Sequence, residues 1–202
     1  MTAMPKTAMP MTHDWSSEDQ QAAKLMFRWQ GLVRPEWIDY NGHMNVAYYV
    51  LAFDEADDQS LYKRLNLTEQ FRTISNMSTM TAEAHVRYLR EVVEAETYCV
   101  YSQIIDYDTK RWHEVQYMVR GDTPDGEDPF VLDPSNIAKE NLIATHEHIA
   151  LSVDLSSRRV SPWHEETLDR LHAVWQEHKH ISRPEWLGKT IGIPADKSLA
   201  RR

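Results

Sequence analysis

Two hydrophobic periods follow one another in this chain, and their order limits its fold more than any other feature. Between Asn45 and Leu65 the apolar residues Val46, Tyr49, Val50, Phe53, Leu61 and Leu65 fall on one stripe at helical spacing. Asp54, Glu55, Asp57, Asp58 and Lys63 fall away from that stripe and read as a solvated face. Asn45 is a good N-cap, so the pattern predicts a helix over 45–65, about 30 Å long at about 1.5 Å per residue. The period then switches to two. Met80, Ala82, Ala84, Val86 and Tyr88 alternate with Thr81, Glu83, His85 and Arg87, which predicts a half-buried strand.

Strands are also predicted over 97–107 and 112–120, joined by the polar turn Asp108-Thr109-Lys110, and over 142–155. The Asp-, Pro- and Gly-rich segment 121–141 reads as a long excursion. Upstream, 27–38 reads as a first strand, with Gly31 and Pro35 suiting a bulge or an edge. Downstream, 164–180 is an amphipathic helix with Leu168, Leu171, Val174 and Trp175 inward, and 181–202 reads as a loosely packed tail. Ser16-Ser17-Glu18-Asp19 offers a cap for a short helix through Leu25. The expected division is an N-terminal arm over 1–25, one domain over 26–160, and a C-terminal helix and tail over 161–202. Strand, long helix, then four strands in a meander implies an α+β fold: a largely antiparallel sheet wrapped around one helix. The recurrence of Arg34-Pro35-Glu36-Trp37 at Arg183-Pro184-Glu185-Trp186 does not extend further and marks no repeat architecture.

Composition narrows the function. With 202 residues and 42% hydrophobic content, the chain can bury the core of one domain. A formal charge of −9, from 31 acidic against 22 basic residues, argues against a nucleic-acid partner. The single cysteine, Cys99, allows no intrachain disulfide, fits a reducing compartment, and lies in a strand where a small buried side chain is expected. Residues 1–15 lack a continuous apolar run, and Val46 to Phe53 is too short to span a bilayer, so a cytoplasmic protein with no membrane partner is expected.

The segment Val33-Arg34-Pro35-Glu36-Trp37-Ile38-Asp39-Tyr40-Asn41-Gly42-His43-Met44-Asn45, with Tyr48 and Tyr49 after it, resembles the 4-hydroxybenzoyl-CoA thioesterase branch of the hotdog superfamily. Its wording is closest to the betainyl-CoA thioesterases of carnitine breakdown. Glu83 to Arg90 and Ala144 to Glu147 are similar to the second and last strands of that family. The resemblance covers about residues 27–160 and implies a hotdog fold, acyl-CoA hydrolysis, and a homodimer, or a dimer of dimers, with the CoA cleft between subunits. It implies no cofactor, since CoA arrives with the substrate.

Thioester cleavage needs an attacking oxygen and a means of stabilising the oxyanion. Asp39 suits the first task, by direct attack or by activating water. The N–H groups near Asn45 and Val46 suit the second, because the first amides of a helix lack intrahelical partners and sit at its positive end. Gly42 lets the loop pass close to a ligand, His43 can orient Asp39 or the loop, and Asn45 caps the helix. A plainer reading makes Asp39 only the cap of its own turn. Trp37, Tyr40, Tyr48 and Tyr49 are candidate acyl-binding residues, since a quaternary ammonium sits well on aromatic faces, and one of the helix acids is a candidate partner for such a cation. Arg87 and Arg90 are candidates for CoA phosphates. His146 and His148 have chelating i, i+2 spacing, but lacking a cysteine partner, and in a family that works without metal, no metal is expected. His164, His172, His178 and His180 read as helix surface. Rival functions are a hotdog hydratase or dehydratase and a non-catalytic acyl-CoA-binding module.

Overall fold

The structure is a computed structural model and describes residues 27–121 and 137–191. The arm over 1–25 and its short helix, most of the 121–141 excursion, and the end of the tail lie outside the described residues. In chain order the elements are β1 (Phe27–Leu32), a 3-10 turn (Pro35–Trp37), α1 (Val46–Gln59), α2 (Leu61–Arg64), α3 (Glu69–Ser75), β2 (Met77–Tyr88), β3 (Thr97–Tyr107), β4 (Arg111–Arg120), β5 (Leu142–Asp154), β6 (Arg159–Val160) and α4 (Glu165–His178). The strands form one antiparallel sheet in the order β1-β3-β4-β5-β2, with β6 added to β5. Helix α1 packs against this sheet through Tyr49, Ala52, Phe53 and Ala56, which meet Tyr98, Val100, Met118 and Ala144. This is the hotdog arrangement expected of the sequence.

The meander expectation is corrected at one strand. β2 pairs with β5 at the far edge, Thr81 opposite Ala150 and Tyr88 opposite Ala144, and not with its chain neighbour β3. The link 89–96 makes that placement, passing under the start of α1. There Val92 is buried, its carbonyl accepts from Met44 N at 2.8 Å, and Ala95 N donates to Val33 O at 3.0 Å. As the end strand β2 has no fully buried residue, and Met80 and Tyr88 are exposed, so its alternation does not mark a buried face in this chain.

The central helix is shorter than the stripe predicts. It ends at Gln59, where Ser60 turns out of helical geometry (φ −123°, ψ −80°) and its hydroxyl donates to Ala56 O at 2.5 Å. Asp57 and Asp58 crowd the negative end of the helix dipole, which disfavours a further turn there. Leu61, Leu65 and Leu67 still reach the core, packing with Ile104, Trp112, Trp163, Leu171 and Val174 under α4. Val46 and Val50, placed inward by spacing, are exposed, while Asp57, assigned to solvent, is buried. His178 is likewise buried, its Nδ1 accepting from Ile104 N at 2.8 Å. The near part of the tail is packed, not loose. Ile181, Trp186 and Leu187 cover Ile105, Val115 and Tyr117 on the sheet's outer face, and Gly188 N donates to the Glu147 carboxylate at 3.0 Å. No helix among the described residues is long and apolar enough to cross a membrane.

Candidate active site

The loop ahead of α1 is held by its own backbone. Asp39 N donates to His43 O at 3.0 Å, Gly42 N donates to Asp39 O at 3.0 Å, and Ile38 and Met44 form an antiparallel bridge. Gly42 has φ +81°, a left-handed conformation that only a residue without Cβ adopts freely. Met44, buried, anchors the loop to the core. Asn45 then caps α1, its side-chain oxygen accepting from Ala47 N at 3.0 Å.

This loop forms one wall of a cleft of about 470 Å³ lined by Asp39, Tyr40, His43, Asn45 and Val46. The opposite wall comes from the end of β2 and the link after it: Tyr88, Leu89, Arg90 and Glu91. Asp39 is half-buried, and its Oδ1 accepts from Asn41 N at 2.8 Å. That bond makes Asp39 the cap of its turn, as the plainer reading has it. It also fixes the carboxylate at the mouth of the helix, with Oδ2 free of any protein partner among the described residues. The two readings of Asp39 are therefore compatible.

Only one of the two expected amide donors stays available. Asn45 N is taken by Trp37 O at 2.8 Å, a correction that follows from the turn the chain makes to enter the helix. Val46 N, at the first helical position, has no partner among the described residues. Tyr48 N already donates to Asn45 O at 3.0 Å. His43 lines the cleft, and its carbonyl, not its ring, is what it gives to Asp39.

The aromatic residues divide. Tyr40 is 96% exposed at the rim, and Tyr49 reaches the cleft from below, edge-on to Tyr88 at 5.2 Å. Trp37 is buried, stacked on Tyr48 at 5.6 Å and covered by the Arg34 guanidinium at 4.6 Å, so Trp37 and Tyr48 support the loop from behind and do not line the cleft. Arg87 sits away from the cleft, over the Trp186 ring at 5.6 Å, whereas Arg90 lines it. Of the helix acids, Glu55 pairs with Arg34 at 2.7 Å and Asp57 is buried near the other end of α1. Tyr88 and Glu91 went unnoticed as cleft residues. The signal was their position, Tyr88 as the last residue of the alternating run and Glu91 just after it, where a strand end and a turn meet the helix start.

A family model, the thioesterase-like superfamily, matches residues 33–171. Betainyl-CoA thioesterase from Pseudomonas aeruginosa is 32% identical over 172 residues, which cover 85% of this chain and 98% of that protein. A longer Rhizobium protein, L-carnitine dehydrogenase/betainyl-CoA thioesterase, is 27% identical over 160 residues, 79% of this chain and 29% of its own length. Among solved structures, a Staphylococcus aureus protein in complex with CoA superposes with a TM-score of 0.70 at 26% identity, covering 85% of this chain and 97% of its own. This chain belongs to the thioesterase-like superfamily of hotdog proteins, and it is a thioester hydrolase.

Proposed function

We propose that the chain hydrolyses an acyl-CoA thioester in the cleft at the start of α1, with Asp39 as its reacting carboxylate. The observation that carries this reading is the meeting of a fixed carboxylate and an unpartnered helix-start amide, Val46 N–H, on one cleft wall. Asp39 either attacks the thioester carbon or takes the proton from a water that does so. The carbonyl oxygen becomes an oxyanion held by Val46 N–H, and collapse restores the carbonyl while the C–S bond breaks and CoA leaves as its thiolate; on the direct-attack route water then cleaves the Asp39 acyl anhydride, releasing the acid and restoring the carboxylate. Arg90, exposed at the rim, is placed to meet a CoA phosphate. The reading needs no cofactor beyond the CoA of the substrate.

The acyl group we assign is a small cationic one of the betainyl type. Its quaternary nitrogen stands two bonds from the reacting carbon, so its partners must lie in the same cleft. Tyr88, Tyr49 and Tyr40 bring aromatic rings there, and Glu91 offers a carboxylate. Asp54, eight residues along α1 from Val46, is about 12 Å away along the axis and too distant for so short a group. The similarity to betainyl-CoA thioesterase supports the same choice.

The working unit we assign is a homodimer. β2 is the end strand of the sheet, with its residues from Met80 to Ala84 exposed, and Val46, Val50 and Leu51 are exposed on the neighbouring helix. Pairing two copies along β2 makes one continuous sheet and covers this apolar strip. Free-thiol release across betainyl, acetyl, aromatic and long-chain CoA thioesters tests the assignment. Turnover of betainyl-CoA above the rest is expected, and binding of acyl-CoA with no thiol released from any would end it.

A further inference from the structure

The far end of α1 holds a cluster that the hydrolysis does not use. Asp57 on α1, Glu114 on β4 and His148 on β5 are all buried, and one ligand atom from each lies within 4.8 Å of the other two. Helical rise from Val46 to Asp57 puts it about 16 Å from the candidate active site. His148 Nε2 stands 3.6 Å from Glu114 Oε2. Glu114, with 0% of its surface exposed, has its Oε1 unpartnered.

Two buried carboxyls side by side are costly unless something positive, or a shared proton, lies between them. The carboxylates are nonetheless aimed with care. Gln116 Nε2 donates to Asp57 Oδ1 at 2.8 Å, and Trp112 Nε1 donates to Glu114 Oε2 at 3.1 Å. Such outer hydrogen bonds are what orient metal ligands. A cavity of about 120 Å³, lined by Val50, Asp54, Asp57, Tyr62, His146 and His148 among others, reaches the cluster and has room for a water ligand.

We propose that Asp57, Glu114 and His148 bind a divalent transition-metal ion that ties the end of α1 to the centre of the sheet. Two carboxylate oxygens and one imidazole nitrogen suit Zn²⁺, Mn²⁺ or Co²⁺, and the two negative charges balance the ion. Tetrahedral donors about 2.1 Å from a metal stand about 3.4 Å apart, close to the His148–Glu114 spacing already present.

The test uses the full chain, stripped with EDTA and dialysed, and then titrated with Zn²⁺, Mn²⁺ or Co²⁺. One equivalent should bind, and at a hundredfold over Kd the melting temperature should rise by about 5–10 °C. Bound Co²⁺ should gain intense visible absorption, a readout that needs no variant. Asp57→Asn and Glu114→Gln keep shape and remove charge, and each should abolish both signals. No thermal shift and no cobalt spectrum would overturn the site, as would signals that persist in both variants. Because the cluster lies far from Asp39, thiol release in the stripped protein separates failure of this site from failure of the active-site assignment.

Discussion

Asp39 gives one oxygen to the Asn41 N–H at 2.8 Å and keeps the other for the cleft. Its place at the mouth of the helix was legible, since it stands in a Gly-containing turn directly before a capped helix. Its neighbours were legible in part. Tyr40, His43 and Asn45 come from the same short segment and were found with it, whereas Tyr88 and Glu91 reach the cleft only through the sheet's strand order. Trp37 and Tyr48 read as binding residues because their rings are local to the motif, yet the ring of one occupies the other. Tyr88 carries a residue-scale prediction. Tyr88→Ala should lower kcat/KM for betainyl-CoA by about 3- to 30-fold while sparing 3,3-dimethylbutyryl-CoA, its uncharged isostere. Equal losses for the two substrates would remove the cation–aromatic contact from the account.

Within single elements, periodicity served well. β3 spans Thr97–Tyr107 as expected, and its turn into β4 is closed by Asp108 accepting from Lys110 N at 2.7 Å. Periodicity misplaced Asp57, because the partners that justify its burial lie on strands far along the chain, Gln116 being 59 residues away. The start of α1 allows a direct check on the oxyanion role. Asn45 already has the extended conformation (φ −64°, ψ 143°) that a following proline demands, and proline is well tolerated at the first helical position. Val46→Pro should therefore fold normally and remove only one N–H, lowering kcat by about 10²–10³ while Val46→Ala does not.

On β5 burial pushes His146 down to about 4, with its Nδ1 2.7 Å from Gln116 Oε1. A folded-state value below the ordinary 6.5 means the unfolded chain binds the extra proton, so this part of the stability is present above pH 6.5 and is lost as pH falls towards 4. His146→Gln should make the decline in unfolding free energy shallower by about 1.4 kcal/mol per pH unit between those limits. Denaturant titrations at several pH values read this directly, and an unchanged slope would contradict it.

For the molecule as a whole, the sequence order of elements was readable but the sheet order was not, since nothing in residues 89–96 announces that they carry the chain past β5 and β4 to β3. That crossing places β2 at the rim, and an exposed edge strand of 12 residues predicts assembly. Met80→Asp with Ala84→Asp should put like charges across a β2–β2 contact and shift the protein from dimer to monomer in light scattering, with thiol release lost in proportion. A dimer that survives both substitutions would move the interface elsewhere.

One comparison reaches the centre of the account: single-turnover thiol release from betainyl-CoA by the wild-type protein and by Asp39→Asn, with equal folded protein and equal CoA binding. Loss of the carboxylate should slow release by about 10²- to 10⁴-fold without changing the melting temperature by more than a few degrees. A variant that releases thiol at a rate close to wild type would show that the chemistry belongs to some other group.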